Sequence, residues 1–212
     1  MWERTYKTSP TLVIPKDNGL ASSDGYALVS PSMPDRHMMT DIETYDTAIT
    51  ATILSVAVIC FDPRGEGPGE SFSTTISAKS QHQRTVSEST RAWWKQQSKE
   101  ARANTFGGEQ LAIGLALANL TQWINRRSPT CTRIWAKSPD FDCSILKHAC
   151  EENGIIWPFK FWETRCCRTV MELAYPEGDF PVMLMDGPKH DALADAQVQV
   201  LEVQHAYHVL QA

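Results

Sequence analysis

The sequence lacks long hydrophobic runs and a metal-type cysteine pattern. No stretch of the 212 residues approaches the roughly 20 consecutive apolar residues that a helix needs to cross a bilayer. The N-terminal apolar run from Leu12 to Ile14 ends at Pro15 and is too short for a signal peptide. The 6 cysteines include no C-x-x-C pair and no histidines at zinc-site spacing. We therefore expect reduced thiols and a cytoplasmic protein with no membrane partner.

An excess of positive charge is also lacking. Lys and Arg total 20 against 25 Asp and Glu, which gives a formal net charge of −5. The chain as a whole therefore does not attract nucleic acid or anionic membranes through long-range electrostatics. Any contact with a polyanion must be local or mediated by a metal ion.

The composition suits one domain with an appendage. Hydrophobic residues make up 42% of the chain, with 7 Trp, 7 Phe and 5 Tyr, so the sequence can build a sizeable core. Residues 1–37 are rich in proline and show no sustained helical or strand periodicity. We interpret them as an N-terminal extension to a domain that spans 38–212. A flexible arm, a short docking segment and a start-site artefact before Met38 all fit this extension.

Hydrophobic periodicity predicts alternating strands and helices after the extension. The expected strands are 38–44, 51–61, about 71–77, 133–136 and about 159–161; the expected helices are 88–103, 109–126, 141–153, a short one near 169, and 191–210. The last helix should lay one stripe on the sheet, since its apolar residues recur every three or four positions. Three strands in a meander followed by β/α alternation predict an α/β fold, with a mixed five-stranded sheet flanked by helices.

Acidic side chains recur at the ends of these predicted elements. Asp41 and Glu43 are two residues apart in the first strand, so they project from the same face. Asp142 lies in the first turn of a helix, where the helix dipole favours an acid. His190 and Asp195 open the last helix. Because helical positions five apart diverge by about 140°, both can face one site only if His190 stands in the entering loop.

Each of these signals has a structural explanation when it is taken singly. The acids of the first strand could be solvated, and a histidine before a helix is unremarkable. The mid-chain acid could be an ordinary helix-start acid, a role for which Asp140 is better placed, as an N-cap. Two neighbouring carboxylates, however, repel each other unless they are protonated or hold a cation.

Together the signals form an ordered set: D-x-E on the first strand, an Asp at a mid-chain helix start, and H-x-x-x-x-D at the last helix. This set resembles the DEDDh 3′–5′ exonucleases, a superfamily with a ribonuclease H-like fold. More specific similarity lies in residues 89–102, S-T-R-A-W-W-K-Q-Q-S-K-E-A-R, and in residues 161–169, F-W-E-T-R-C-C-R-T. Both segments resemble phage exonuclease A and proteins related to exodeoxyribonuclease VIII. Mycobacterial-type exoribonucleases belong to the same broader group, and the resemblance covers about 38–210.

Two departures from the family pattern concern substrate grip and support of the pocket. The family's Asn and Asp in the second segment are Glu163 and Cys166 here. The family's G-N-G before the mid-chain helix is Ala136-Lys137-Ser138. Neither change touches the five catalytic positions.

The resemblance implies a metal-dependent hydrolase. It implies that Asp41, Glu43, Asp142 and Asp195 bind two divalent cations, with Mg²⁺ or Mn²⁺ favoured because all the ligands are oxygen donors. It implies His190 as the general base, since imidazole can exchange a proton near neutral pH. The expected reaction is hydrolysis of phosphodiester bonds from a 3′ end, with release of nucleoside 5′-monophosphates, inside a bacterial or phage-infected cell.

Substrate contacts are expected along the 88–103 helix. Its cations recur every three or four residues and form one basic stripe of Arg91, Lys95, Lys99 and Arg102. Such a stripe is commonly only a solvated face, but its position within the family segment favours phosphate binding.

The interpretation of this helix assigns opposite roles to two neighbouring tryptophans. Trp94 is expected to stack on a terminal base and Trp93 to pack in the core, because neighbouring helical positions face different directions. The predicted substrate-binding residues are Thr44, Trp94, Lys95, Gln97 and Arg165, with Arg168 as a further phosphate candidate.

The leading hypothesis is a 3′–5′ exonuclease that prefers single-stranded DNA, because its specific motifs resemble those of phage exodeoxyribonucleases. A 3′–5′ exoribonuclease of the same fold is the near alternative. A catalytically idle module that binds nucleic acid or docks a protein would be expected to lack one of the five catalytic residues, and all five are present. An ordinary α/β protein with accidental acids would show no stabilisation by Mn²⁺.

Overall fold

The computed structural model describes residues 36–127, 131–183 and 189–212. The predicted extension lies outside these ranges except for its last two residues, which begin the first strand. The strands are β1 (Arg36–Thr44), β2 (Ile53–Phe61), β3 (Ser71–Ile76), β4 (Gln110–Leu111), β5 (Cys131–Ala136) and β6 (Thr164–Cys166). The α-helices are α1 (Glu88–Gln96), α2 (Lys99–Phe106), α3 (Ile113–Arg127), α4 (Asp142–Glu152), α5 (Cys167–Ala174) and α6 (Ala192–Gln211). Short 3₁₀ helices span Ala78–Ser80 and Phe161–Glu163.

The strands form one mixed sheet in the order β4-β3-β2-β1-β5-β6. Strands β1, β2 and β3 are an antiparallel meander, whereas β4, β5 and β6 each lie parallel to their neighbour. The predicted α/β fold with a mixed sheet is confirmed. The sheet has six strands instead of the expected five, because Gln110 and Leu111 pair with the end of β3 before α3 begins.

Helices cover both faces of the sheet. On one face Met38, Ile42 and alternate residues of β2 pack with α3 and α4, and on the other Met39 packs with α5 and α6. Every residue of β2 is buried, as its continuous apolar sequence predicts for a strand covered on both faces. The predicted stripe of α6 is confirmed at Ala196, Val200 and Val203, which are fully buried, whereas its last member Leu210 is 49% exposed.

The predicted single helix over 88–103 is wrong. The structure has α1 ending at Gln96 and α2 beginning at Lys99, with Gln97 in an extended conformation between them. Ser98 caps the second helix, since its hydroxyl accepts a hydrogen bond from the Ala101 N–H at 3.0 Å. The expected basic stripe is therefore divided between two helices.

The predicted strand at 159–161 is also misplaced. Phe161 begins a 3₁₀ helix, and the strand that pairs with β5 starts three residues later, at Thr164. The side chain of Phe159 is buried in the core and packs against Trp157, with their ring centres 5.7 Å apart. Phe159 is therefore apolar because it packs in the core, without pairing as a strand, whereas Phe161 is exposed.

The 6 cysteines all lie within the described ranges, and no disulfide joins any of them. Among the described helices, none combines the length and the apolar character that crossing a bilayer requires.

Candidate functional site

The carboxyl end of β1 carries the first two candidate acids. Asp41 and Glu43 lie on the face of β1 that also presents Met39 to α5 and α6, as the strand alternation requires. The parallel pairing of β1 with β5 reaches only Met39, opposite Trp135. The last residues of β1 therefore extend beyond β5 and leave room on that side for side chains from other elements.

Asp142 enters this space from the first turn of α4. Its Oδ1 accepts a hydrogen bond from the Ile42 N–H at 3.3 Å, so it engages a backbone donor beyond the end of the β1–β5 pairing. Its side chain is buried, with the residue 5% exposed. The expected N-cap role of Asp140 is wrong: Phe141 occupies the cap position, and no side chain caps this helix. The Asp142 carboxylate is therefore positioned by its hydrogen bond to β1, and it is more than a polar residue at the start of a helix.

Helix α6 brings Asp195 and a further polar residue to the same face. Asp195 lies in its first turn, and Gln199 follows four residues later on the same side of the helix. The Gln199 amide donates a hydrogen bond to Asp41 Oδ1 at 2.7 Å. Gln199 is 4% exposed, and its Oε1 has no hydrogen-bond partner within the described residues. Gln199 was not among the residues predicted from the sequence, although its spacing from Asp195 was a usable signal.

His190 stands in the loop before α6, as predicted, and Asp191 caps that helix. The φ of His190 is 64°, a left-handed conformation that is uncommon for a residue other than glycine. Its backbone N–H donates to Asp195 Oδ2 at 3.1 Å, and its carbonyl accepts from the Thr105 hydroxyl at 3.4 Å. The Trp93 ring packs edge to face against the imidazole, with centres 4.7 Å apart. The residues Gly187 and Pro188, which suggested the loop boundary, lie outside the described ranges.

The ligand-type atoms of this site converge. One carboxylate oxygen each of Glu43 and Asp195 and one imidazole nitrogen of His190 lie within 4.8 Å of one another. Burial, and then the charges of Asp142, Glu43 and Asp195, raise the pKa of the Asp41 carboxyl well above its usual range. The structure thus brings all five predicted catalytic residues to one end of the central strand.

The other three acids also resist ionisation. Burial, followed by the charges of Asp195 and Asp142, raises the pKa of Glu43 to about 8. Burial raises the pKa of Asp142 to about 7, although the Ile42 N–H opposes the shift. Burial likewise raises the pKa of Asp195. Four carboxyl groups that are costly to ionise together form a donor set that suits a divalent cation, because the cation would supply the missing positive charge.

The two tryptophans of α1 have the reverse of their predicted burial. Trp94 is 2% exposed, and its indole N–H donates to the Thr44 carbonyl at 2.9 Å. Its ring also packs against Phe106 of α2. Trp93 is 38% exposed and contacts His190. Trp94 therefore anchors α1 to the end of β1, which leaves Trp93 facing the site.

The remaining predicted substrate residues are dispersed. Thr44 lies at the site, but its hydroxyl donates to the Asp46 carbonyl at 2.6 Å. Gln97 donates to the Trp93 carbonyl at 3.1 Å and ends α1. Lys95 is exposed on α1. Arg165 lies on β6, where it donates to the carbonyls of Trp162 and Thr164 at 2.8 Å each.

An open cavity of about 450 Å³ adjoins Glu43. It lies between the end of β1, the start of α1 and the turn before α4. Its lining includes Glu43, Thr44, Trp93 and Phe141, together with the hydroxyl-bearing residues Ser89 and Thr90. A cavity with two aromatic walls and a carboxylate at one side suits a flat ring attached to a polar backbone.

Comparisons with known proteins show similarity to nucleases. The family model for the 3′–5′ exoribonuclease Rv2179c-like domain matches residues 36–207. The exodeoxyribonuclease of enterobacteria phage T4 is 29% identical over 197 residues, which cover 78% of this chain and 86% of the phage protein.

Two solved structures share the fold. E. coli exonuclease I in complex with a dT13 oligonucleotide matches with a TM-score of 0.59 at 18% identity, over 81% of this chain and 40% of that one. This chain therefore spans less than half the length of exonuclease I. The nuclease domain of 3′hExo, a DEDDh family member bound to rAMP, matches with a TM-score of 0.54 at 11% identity, over 84% of this chain and 94% of that domain.

Proposed function

The chain belongs to the 3′–5′ exoribonuclease Rv2179c-like domain family and is a 3′–5′ exonuclease of the DEDDh type, and we propose that it degrades single-stranded DNA from the 3′ end to nucleoside 5′-monophosphates. The observation that carries the reaction is the cluster of four carboxyl groups beside His190, of which those of Glu43 and Asp142 are buried and the other two are partly buried. The choice of DNA is supported by the similarity to the T4 exodeoxyribonuclease, because the match extends over 86% of that protein.

DEDDh nucleases use divalent metal ions, and we propose that this chain holds two, Mg²⁺ or Mn²⁺, through Asp41, Glu43, Asp142 and Asp195. When bound, such ions supply positive charge that activates water and stabilises the leaving oxygen. Gln199 orients Asp41 by donating to its Oδ1. Asp142 is held by the Ile42 N–H and Asp195 by the His190 N–H, so backbone donors orient two of the other ligands.

His190 acts as the general base. Its imidazole takes a proton from the attacking water, the water oxygen bonds to phosphorus, and the bond to the 3′ oxygen of the preceding nucleotide breaks. That oxygen takes a proton from solvent water and becomes a new 3′ hydroxyl, His190 returns its proton to solvent, and the released nucleotide carries a 5′ phosphate. The Trp93 ring and the Thr105 hydroxyl hold the histidine and its loop against α1 and α2.

The terminal nucleotide occupies the 450 Å³ cavity beside Glu43. Its base packs against Trp93 and Phe141, which directs its phosphate toward the carboxyl cluster. An aromatic contact of this kind tolerates any base, because every base has a flat π face. The enzyme should therefore remove all four nucleotides.

RNA is the second candidate substrate, favoured by the description of the matching family model. Recognition of a 2′ hydroxyl would need a hydrogen-bonding group in the same cavity. The Thr44 hydroxyl already donates to Asp46, but its oxygen could still accept a bond. Comparing the turnover of dT15 and rU15 decides between the substrates, and faster cleavage of RNA would overturn the choice of DNA.

The reaction itself is tested with a 5′-labelled single-stranded oligodeoxynucleotide in Mg²⁺ or Mn²⁺. We expect a ladder of products that shorten stepwise from the 3′ end. The ladder should be absent with EDTA and with Asp41→Ala. Uncut DNA and uncut RNA together would instead favour a catalytically idle binding module.

Substitutions at the two tryptophans should separate stability from activity. Trp94→Phe leaves the Thr44 carbonyl without its donor, so we expect a loss of about 2 kcal/mol and a fall in Tm of roughly 4–8 °C. Trp93→Ala removes a half-exposed ring beside His190, so Tm should change little while kcat/KM falls about 10-fold or more. Trp93→Phe keeps an aromatic ring and serves as the matched control. Equal losses of Tm from Trp94→Phe and Trp93→Ala would contradict these roles.

A further inference from the structure

Two large aromatic side chains lie exposed outside the catalytic site. Phe161 is 84% exposed and Trp162 is 56% exposed, although both belong to the family-like segment 161–169. Their rings contact each other edge to face, with centres 4.8 Å apart. We call this pair the aromatic patch. Covering exposed rings of this size with a flat apolar partner is favourable, because it removes apolar surface from water.

A cationic groove adjoins the aromatic patch. Its volume is about 410 Å³, and its lining includes Phe161, Lys147, Lys160 and Arg165, against a single acid, Asp140. The local excess of cations contrasts with the net charge of −5 for the whole chain. It makes this groove electrostatically complementary to a polyanion.

The nearby carboxylates of Glu163 and Glu151 lie outside the lining of the groove. Glu163 uses its Oε2 to accept the backbone N–H of Lys160 at 2.7 Å. Glu151 lies 3.8 Å from the Lys147 ammonium, but both side chains are more than half exposed, so their pairing is weak. The Lys160 ammonium lies 5.1 Å from the centre of the Trp162 ring. An ammonium beside an exposed aromatic face is the combination that binds single-stranded nucleic acids.

The groove borders the start of α4, the helix that carries Asp142. Pro139, Asp140 and Cys143 line it, and these residues flank Asp142 at the start of α4. Asp142 turns its carboxylate toward β1, whereas its neighbours border the groove. Lys147 follows five residues later, about 7.5 Å along the helix axis. The groove thus begins within one helical turn of a catalytic carboxyl group.

We propose that the groove and the aromatic patch bind the part of the single strand that lies 5′ of the terminal nucleotides. This inference rests on the proposed function, because the strand must have its 3′ end at the carboxyl cluster. Lys147, Lys160 and Arg165 contact phosphates, and bases stack on Phe161 and Trp162. The surface thereby increases the affinity for long strands without discriminating among sequences.

The test compares binding of long and short strands by the full chain. Fluorescence anisotropy is measured in EDTA with 5′-labelled dT15 and dT3. Wild-type protein should bind dT15 more tightly than dT3. Phe161→Ala combined with Trp162→Ala should weaken binding of dT15 by about 10-fold or more while changing that of dT3 less than about twofold. Lys147→Ala combined with Lys160→Ala should lower the salt slope of log Kd for dT15 by about 1.4.

Leu115→Ala, at a 53% exposed residue of α3, is the matched control and should bind both strands like the wild type. Equal affinity of wild-type protein for dT15 and dT3, or full retention of dT15 binding by the aromatic double variant, overturns the proposal. Sedimentation of the wild type as a dimer and of that variant as a monomer, with unchanged binding of dT15, overturns it in favour of contact between two copies. Absence of hydrolysis in Mn²⁺ contradicts the proposed function separately, since the binding measurement needs no cleavage.

Discussion

Asp41→Asn is expected to reduce turnover by roughly 10³-fold or more, because a bound divalent cation contributes several kcal/mol to the transition state. The substitution removes the charge and keeps the shape of the side chain. The new amide oxygen can still accept the hydrogen bond that the Gln199 amide donates at 2.7 Å to Asp41. The loss should therefore report metal binding and not a displaced Gln199.

The same variant should be no less stable than wild type when metal is absent. Burial of the carboxyl group, and then the charges of Asp142, Glu43 and Asp195, raise the pKa of Asp41 and oppose its ionisation. Removing one carboxylate relieves this repulsion, so Tm in EDTA should stay equal or rise. Mn²⁺ should raise the Tm of wild type and raise that of the variant much less.

Asp179→Asn is the matched control, since this acid is exposed and lies outside the site. It should leave both turnover and Mn²⁺ stabilisation at wild-type values. A fall of Tm in EDTA for Asp41→Asn would mean that the acid supports the fold. Turnover close to that of wild type would show that Asp41 is not a ligand.

The stability of the metal-free protein should decrease as pH rises from about 5 to about 8. Burial and neighbouring acids raise the pKa of Glu43 from its ordinary 4.5 to about 8. Between these values the folded state binds more protons than the unfolded state, so each step up in pH favours unfolding. The effect is fully expressed above pH 8 and, for this one group, amounts to on the order of a few kcal/mol.

Metal should reverse this dependence on pH. Carboxylates must lose their protons before they bind a cation, so Mn²⁺ should stabilise the protein more at pH 8 than at pH 6 and should release protons on binding. Unfolding by denaturant at several pH values, with EDTA or Mn²⁺, measures the first effect. Titration calorimetry in buffers of different ionisation enthalpy measures the second.

Glu43→Gln isolates the contribution of this residue. The variant should lose part of the decline in stability between pH 5 and 8, and the difference from wild type cancels groups elsewhere in the chain. A decline identical to that of wild type would place the responsible groups elsewhere. Stability that rises with pH in metal-free wild type would contradict the raised pKa of the cluster.

The acids could be found in the sequence because each has a local signal. The two-residue spacing in a strand sets Asp41 and Glu43 on one face, and the starts of helices mark Asp142 and Asp195. Gln199 could have been found by the same periodicity. What no local pattern contains is the hydrogen bond from Gln199 to Asp41, because it joins residues 158 positions apart.

The roles of the two tryptophans could not be predicted from helical spacing. Adjacent helical positions differ by about 100°, so spacing states only that Trp93 and Trp94 face differently. Which of them is buried depends on where α1 meets the end of β1. The Thr44 carbonyl, at the end of that strand, needs a donor, and Trp94 supplies it. Burial of Trp94 then leaves Trp93 beside His190.

By itself the sequence determined the meander followed by β/α alternation, the buried central strands and the identity of the five catalytic candidates. Hydrophobic periodicity and spacing at the ends of elements are local properties, so one chain is enough to read them, and the resemblance to the DEDDh exonucleases assigned the five candidates their expected roles. Only the tertiary structure decided the break between α1 and α2, the position of β6, and which aromatic rings face the site. Each of these depends on contacts between distant segments: a cap or a strand forms only where its partner is present, and a ring is buried only where another element covers it.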